Sequence, residues 1–284
     1  MDEARPSRTA LHVALRRAAH QIYDARPLIF EDPFAMRILG PHAAELERTP
    51  GRNSAFRPRP SSVGLRSFLV ARSRYAEDQL ARAVAAGVTQ YVILGAGLDT
   101  FALRNPYPHL RVFEVDHPAT QAWKRDLLHH ARLALPASAR LIPVDFEHQP
   151  LAAQLSAAGF DPRRPAFFSW LGVVLYLTLD AFRSTISFIA SMPPGTGLVF
   201  DYAQPRSALS PVEQLQRDSL SSRVDLAGES FRLFFTPGEI AGELTAFRSF
   251  EDLGAPEINA RYFHARPDSL RIESNSSRFL SVWR

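Results

Sequence analysis

The chain of 284 residues contains no cysteine and a single lysine, Lys124. The first absence excludes disulfides, thiolate zinc sites and a cysteine nucleophile together, and it fits a cytoplasmic protein kept in reducing surroundings. The second means that arginine carries nearly all the positive charge behind the formal net charge of +4. The arginines are scattered, and the nearest approach to a cluster is Arg52, Arg57 and Arg59 in a stretch rich in Pro, Ser and Gly. Such spacing does not build a phosphate-tracking groove, so nucleic acid is not an expected partner. No uninterrupted run of about 18 apolar residues occurs, and no membrane span is expected. Met1–His20 shows no apolar segment followed by a small-residue cleavage site, which argues against a secretory signal. A Gly-x-Ser-x-Gly elbow and a Walker loop are both missing, which removes the hydrolase nucleophile and the NTPase phosphate cradle. Nine histidines form no metal constellation. His129 and His130 are adjacent and point different ways on a helix, whereas paired ligands sit four apart.

What is present begins at Tyr91-Val92-Ile93-Leu94-Gly95-Ala96-Gly97-Leu98-Asp99-Thr100. A short β-branched run of this kind reads as a buried parallel strand entering a tight turn. Gly95 and Gly97 let the backbone turn sharply and approach a ligand closely. A dinucleotide fingerprint needs a third glycine where Thr100 stands, and it seats pyrophosphate on the next helix N-terminus. Asp99 would hold a carboxylate close to that phosphate, so a phosphate-free nucleoside such as S-adenosylmethionine fits better. Arg111–Asp116 reads as a second strand. Asp116 falls about 20 residues beyond Gly95, the spacing of an acidic residue that accepts from ribose hydroxyls.

Strands are predicted near 90–95, 111–116, 139–144, 166–171 and 197–202, with helices near 118–134, 149–158 and 179–191. This alternation is the α/β signature. Right-handed crossovers place a ligand crevice at the carboxyl ends of the strands, where Gly95, Asp116, Asp145, Leu171 and Asp201 all fall. Upstream, Leu11, Leu15, Ala18, Ala19 and Ile22 give Arg8–Tyr23 one apolar helical face. Asp32-Pro33 predicts a second helix that Gly40-Pro41 stops, Arg48–Ser62 a loop, and Leu65 to about Ala86 a further helix. After Tyr202 a helical insertion over 205–235 is expected to cover the crevice as a lid. Pro237 opens another helix, and 247–252 and 278–282 supply two last strands. Residues 1–66 are read as a helical N-terminal region of the same domain, and 67–284 as its catalytic part.

Several of these segments resemble the leucine carboxyl methyltransferase family in place and order. They are Glu31-Asp32-Pro33-Phe34-Ala35, Ala71-Arg72-Ser73-Arg74-Tyr75, Gly95–Thr100, Phe113–Pro118 with Lys124, Pro143–Phe146 and Trp170–Leu177. The resemblance covers roughly residues 20 to 205. It implies a seven-stranded, mostly parallel methyltransferase sheet with helices on both faces, and S-adenosylmethionine as cofactor. It also implies roles: Arg72 for the methionine carboxylate, Gly95 and Gly97 beneath the cofactor, Asp116 for the ribose, Asp145 and Phe146 around the adenine. Leu171 departs from the pattern, since many relatives carry glutamate there, and leucine can offer only apolar or backbone contact.

Tyr176 and Tyr202 follow strand ends, where a phenol could orient an acceptor oxygen or simply bury its ring. The expected reaction is O-methyl transfer to a carboxylate of a small molecule or peptide, which needs no base. The alternatives are a hydroxyl acceptor, which needs one, a nicotinamide-dependent oxidoreductase, and a non-catalytic cofactor-binding protein.

Overall fold

The computed structural model describes residues 6–47, 60–146, 149–225 and 230–284. Seven strands form one sheet: β1 (Gln90–Leu94), β2 (Arg111–Asp116), β3 (Ala139–Pro143), β4 (Phe167–Trp170), β5 (Gly197–Ala203), β6 (Ser249–Leu253) and β7 (Ser277–Trp283). Their order is β3-β2-β1-β4-β5-β7-β6. Pairing is parallel from β3 through β5 and antiparallel on both edges of β7.

Alternation along each strand separates two cores. Tyr91, Ile93, Phe167, Val199 and Phe279 point to one face and pack against α3 (Pro60–Ala85) and α10 (Ala255–Tyr262). Val92, Leu94, Phe168, Trp170, Phe200 and Leu280 point to the other, against α6 (Leu151–Ala157), α7 (Leu179–Ala190) and α9 (Pro237–Glu243). Both faces of β1 are therefore dry, which is why it reads as an unbroken apolar run. A third core joins α1 (Arg8–Tyr23) to α5 (Pro118–His130) through Leu15, Ala18, Ile38, Leu39, Leu98 and Leu127.

The N-terminal region departs from the sequence reading in three ways. On α1, Arg17 and His20 are buried, whereas Ile22 is 49% exposed. The helix predicted at Asp32-Pro33 is replaced by turns and a 3-10 segment, Arg37–Ala43, followed by α2 (Ala44–Glu47). The cause is local and tertiary. Asp32 Oδ1 accepts from Phe34 N at 3.1 Å, an Asx turn, and Gly40 takes φ +54° with an added Cβ only 3.1 Å from Leu127 of α5. Gly40 thus kinks the segment without stopping it. Third, α3 begins at Pro60, inside the predicted loop. The remainder of that loop, including Arg52, Arg57 and Arg59, lies outside the described residues.

Two further segments differ from expectation. The insertion after β5 is helical only over Arg206–Ala208 and α8 (Pro211–Asp225), and 230–236 is irregular. There Phe235 N donates to Ala203 O and Arg232 N to Leu175 O, so the chain is tied to the sheet end by backbone bonds instead of a helix. Helix α10 was not anticipated, although Gly254-Ala255-Pro256-Glu257 carries its signal: Glu257 accepts from Gly254 N at 2.9 Å, half of a capping box. Among the described residues no helix is long and apolar enough to cross a membrane, and no group of three or more acidic or histidine side chains is arranged to hold a metal.

Candidate active site

A cleft of about 680 Å³ opens over the carboxyl ends of β1, β2, β4 and β5. Its size suits a ligand of nucleoside dimensions with an acceptor beside it. All nine residues singled out from the sequence border it: Arg72, Gly95, Gly97, Asp116, Asp145, Phe146, Leu171, Tyr176 and Tyr202. The remaining walls come from α1, α3, α8 and the loop at 272–277.

The floor is the turn after β1, and a small number of bonds fix its shape. Gly95 has φ +68° and Gly97 φ +49°, both in the region that favours glycine. A Cβ on Gly95 would collide with the Val173 side chain. Asp116 clasps the turn with both carboxylate oxygens: Oδ2 accepts from Gly97 N at 2.5 Å and Oδ1 from His117 N at 2.6 Å. Burial raises the Asp116 pKa, and these two N–H donors oppose that shift only in part. Lone pairs remaining on the same oxygens can still accept from hydroxyls in the cleft.

Asp99 closes the turn. Its Oδ1 accepts from Phe101 N at 2.6 Å, and its Oδ2 lies 3.5 Å from Arg17 Nη1. Burial pushes its pKa up, but Arg17, Arg104 and Lys124 outweigh this and hold the carboxyl below its ordinary value. The carboxylate that argued against a phosphate ligand is therefore ionised and faces the cleft. Behind the turn, Lys124 Nζ donates to Asp99 O at 2.7 Å and pairs with Glu114, with both side chains buried.

Sequence reasoning missed how α1 is attached to this turn. Arg17 Nη2 donates to Leu98 O at 2.6 Å, and its Nε lies 3.4 Å from Asp32 Oδ2. Asp32 Oδ2 in turn accepts from Thr100 Oγ1 at 2.7 Å. Thr100, standing where a dinucleotide fold has its third glycine, thus secures the N-terminal region. The Asp32-Pro33 signature was visible, but the partners lie 68 residues apart in the chain and no spacing rule links them.

Arg72 projects from α3 and is only 7% exposed. Its Nη1 donates to Asp201 Oδ2 at 3.0 Å, and Asp201 Oδ1 accepts from Gly172 N at 2.6 Å. Asp201 stood at a predicted strand end without an assigned role; it proves to be the carboxylate that orients Arg72. Gly172, at φ +70°, is where a side chain cannot stand, since a Cβ would lie 2.6 Å from Arg72 Nη1. Arg72 Nε is buried and has no hydrogen-bond partner, an unsatisfied donor that a ligand carboxylate would complete. Leu171 is half-buried and packs on the first core, with no polar group to offer.

The two tyrosines separate. The Tyr176 ring faces Phe231 of the insertion, 5.5 Å between centroids, at the cleft wall. Tyr202 is 1% exposed, and its hydroxyl donates to Asp252 Oδ2 at 2.8 Å. Its proton is committed to β6, the arrangement of a buried ring whose hydroxyl finds one partner.

The strand order, the antiparallel seventh strand and a cleft with a glycine turn and an acidic β2 end define a protein of the class I methyltransferase type. Residues 10–190 match the family described as leucine carboxyl methyltransferase. The Bacillus subtilis (strain 168) protein YktD, provisionally named as an S-adenosyl-L-methionine-dependent methyltransferase, is 33% identical over 289 residues, covering 93% of each chain. Two crystal structures share the fold at a TM-score of 0.57. One is a DUF574-family protein from Streptomyces avermitilis, 15% identical, covering 96% of this chain and 97% of that one. The other, from Thermobifida fusca, is provisionally described as a methyltransferase and is 17% identical, covering 100% and 96%. The chain belongs to the leucine carboxyl methyltransferase family and is an S-adenosylmethionine-dependent methyltransferase.

Asp116→Ala is expected to cost roughly 1.5 to 3 kcal/mol of S-adenosylhomocysteine affinity, as for charge-assisted bonds. Asparagine is not a mild replacement here, because its amide must face one of the two backbone N–H groups. Calorimetry on the folded variants checks this, and wild-type affinity in either would place the ribose elsewhere.

Proposed function

We infer that the chain methylates a carboxylate oxygen of a small molecule or peptide. The observation that carries this reading is the charge of the cleft wall away from the strand ends. Among the described residues, Arg217 borders it there and joins no ion pair, and Arg16, Arg232 and the carboxylate of Glu273 border the cleft as well. An anionic acceptor is drawn to such a wall, and a carboxylic acid with pKa near 4 is already ionised at neutral pH. It therefore needs no base and releases no proton on esterification.

The residues present fit the cofactor. Arg72, with its unsatisfied Nε, would take the methionine carboxylate, Gly95 and Gly97 would pass beneath, Asp116 would accept from the ribose, and Asp145 and Phe146 would flank the adenine. Leu171 would add apolar contact. When bound, S-adenosylmethionine supplies an electrophilic methyl on a sulfonium sulfur. The protein contributes alignment and dehydration: α1 and α3 wall the cleft, and the 205–235 segment, whose Gln216, Leu220 and Phe231 border it, would act as a lid. Tyr176 at that wall would contact the acceptor. A cytoplasmic location belongs to the same proposal.

One observation favours a second reading. His12 of α1 also borders the cleft and could serve as base for a hydroxyl acceptor. The two differ in pH dependence and in product. A carboxyl acceptor is expected to give a rate nearly flat above about pH 6 and a methyl ester labile to mild alkali. A hydroxyl acceptor requires a rate that climbs as pH rises through the pKa of its base, and an alkali-stable ether. Recovery of the ether would overturn the carboxyl assignment.

A further inference from the structure

Of the arginines on the basic wall, Arg217 of α8 stands out by what surrounds it. Its Nη2 donates to Ser276 O at 3.0 Å, and its guanidinium carbon lies 5.1 Å from the centre of the Phe234 ring. Both neighbours are neutral. The two carboxylates that act on it from its own helix are engaged elsewhere. Asp218 pairs with Arg206 at 3.1 Å. Glu213 accepts from Asn275 N at 2.7 Å and from Ser274 Oγ at 3.2 Å, and it also caps α8 through Ser210. Among the described residues, Arg217 itself joins no ion pair. Burial lowers its pKa even with both carboxylates nearby, so the charged form is incompletely compensated.

A half-buried guanidinium that meets only a carbonyl and a ring face retains most of its five donors. It has lost part of its hydration without gaining a counter-charge, and an anion entering the cleft would supply one. The fixed planar geometry of those donors matches a carboxylate by two parallel bonds. Leu220, Phe231 and Ile272 border the same cleft and offer apolar surface to a ligand there.

We propose that Arg217 is the specificity-determining residue for the methyl acceptor, binding the carboxylate of an amphipathic acid whose apolar body lies against Leu220, Phe231 and Ile272. This deepens the carboxyl reading given above and rests on it. Arg217 belongs to the insertion between β5 and β6, not to the turn or strand ends that surround the cofactor, so acceptor and cofactor recognition are separable by mutation.

The test uses the full chain saturated with S-adenosylhomocysteine, titrated calorimetrically with n-alkanoates from butyrate to decanoate, with phenylalkanoates, and with the primary amide of each. Acids of the series are expected to bind the wild-type protein at least tenfold more tightly than their amides. Arg217→Gln is expected to weaken those acids tenfold or more, leaving the amides and S-adenosylhomocysteine within twofold. Unchanged S-adenosylhomocysteine affinity also shows that the variant is folded. Arg217→Lys keeps charge without the paired donors and should fall between. The proposal is overturned if no acid in the series binds, if acids and amides bind alike, or if Arg217→Gln leaves the acids unaffected. An alkali-labile methyl ester formed by a protein that fails this test would sink Arg217 alone and spare the carboxyl reading. An alkali-stable product from a neutral acceptor would sink both.

Discussion

Lys124→Ala is expected to destabilise the folded chain by about 3 to 5 kcal/mol, the cost of leaving a buried charge unpaired. Lys124 and Glu114 are 1% and 0% exposed at their side chains, and among the described residues no other cation bonds the Glu114 carboxylate. Glu114 Oε1 already lacks a partner, so removal of the ammonium strands the whole group. The deficit should depend on pH with a definite sign. Burial raises the Glu114 pKa above its ordinary 4.5, and Lys124 restrains that rise. In the alanine variant the folded pKa climbs further. The deficit is then smallest below about pH 4.5, where the carboxyl is neutral in both states, and grows as pH rises through the folded pKa. Guanidinium denaturation at pH 4.5 and pH 8 measures both parts. Lys124→Met with Glu114→Leu should recover most of the loss, because an apolar pair of similar volume has no charge to desolvate. A loss under about 1 kcal/mol, or one unchanged with pH, would show that the ion pair does not hold the turn. Since Lys124 also donates to Asp99 O, S-adenosylhomocysteine affinity should fall in the alanine variant as well.

Arg72→Ala is expected to weaken S-adenosylhomocysteine by roughly 2 to 5 kcal/mol, the range for truncating one partner of a buried, hydrogen-bonded charge pair. Two losses combine: the donors meant for the ligand carboxylate, and the counter-charge of Asp201, which then keeps only Gly172 N. Arg72→Lys should lose nearly as much, because an ammonium cannot hold Asp201 and present a second, parallel donor edge to the ligand. If Arg72 were merely a surface ion pair, either variant would change affinity by less than about 1 kcal/mol. Calorimetry on the lysine variant decides between the two. Asp201→Asn adds a check, since it spares Arg72 but removes the charge that orients it; wild-type affinity there would mean that the Phe68 ring, 5.9 Å from the guanidinium, suffices to place the side chain.

Local pattern carried the sheet a long way. The strands of the parallel part are short and mostly apolar, with a glycine, acid or proline at or within two residues of their ends, so their place and ligand-bearing ends could be read directly, and Gly95, Asp116 and Asp145 do meet at one cleft. The final two strands were also legible as alternating runs. Period and propensity failed where short-range signals were overruled by contact. Asp32-Pro33 looks like a helix start, yet Asp32 spends one oxygen on Phe34 N and the other on Thr100. Arg17 and His20 sit where an amphipathic helix should be apolar, because Arg17 finds Leu98 O and Asp32 on other segments and His20 pairs with Asp24 at the end of its own helix.

The sequence by itself determined the class of this protein, because a strand–glycine turn–acid pattern has few physical uses and depends on neighbours a few residues apart. Tertiary structure alone decided which side chains are free to act. Tyr202 committed its hydroxyl proton to a hydrogen bond with Asp252, Asp116 was doubly engaged before any ligand arrives, and Arg72 took Asp201 as a fixed companion. Arg217 was left against a carbonyl and a ring face, with no ion pair of its own among the described residues. Such assignments turn on which donors and acceptors folding has already paired, and pairing between distant parts of the chain, 129 residues apart for Arg72 and Asp201, leaves no mark in spacing or composition.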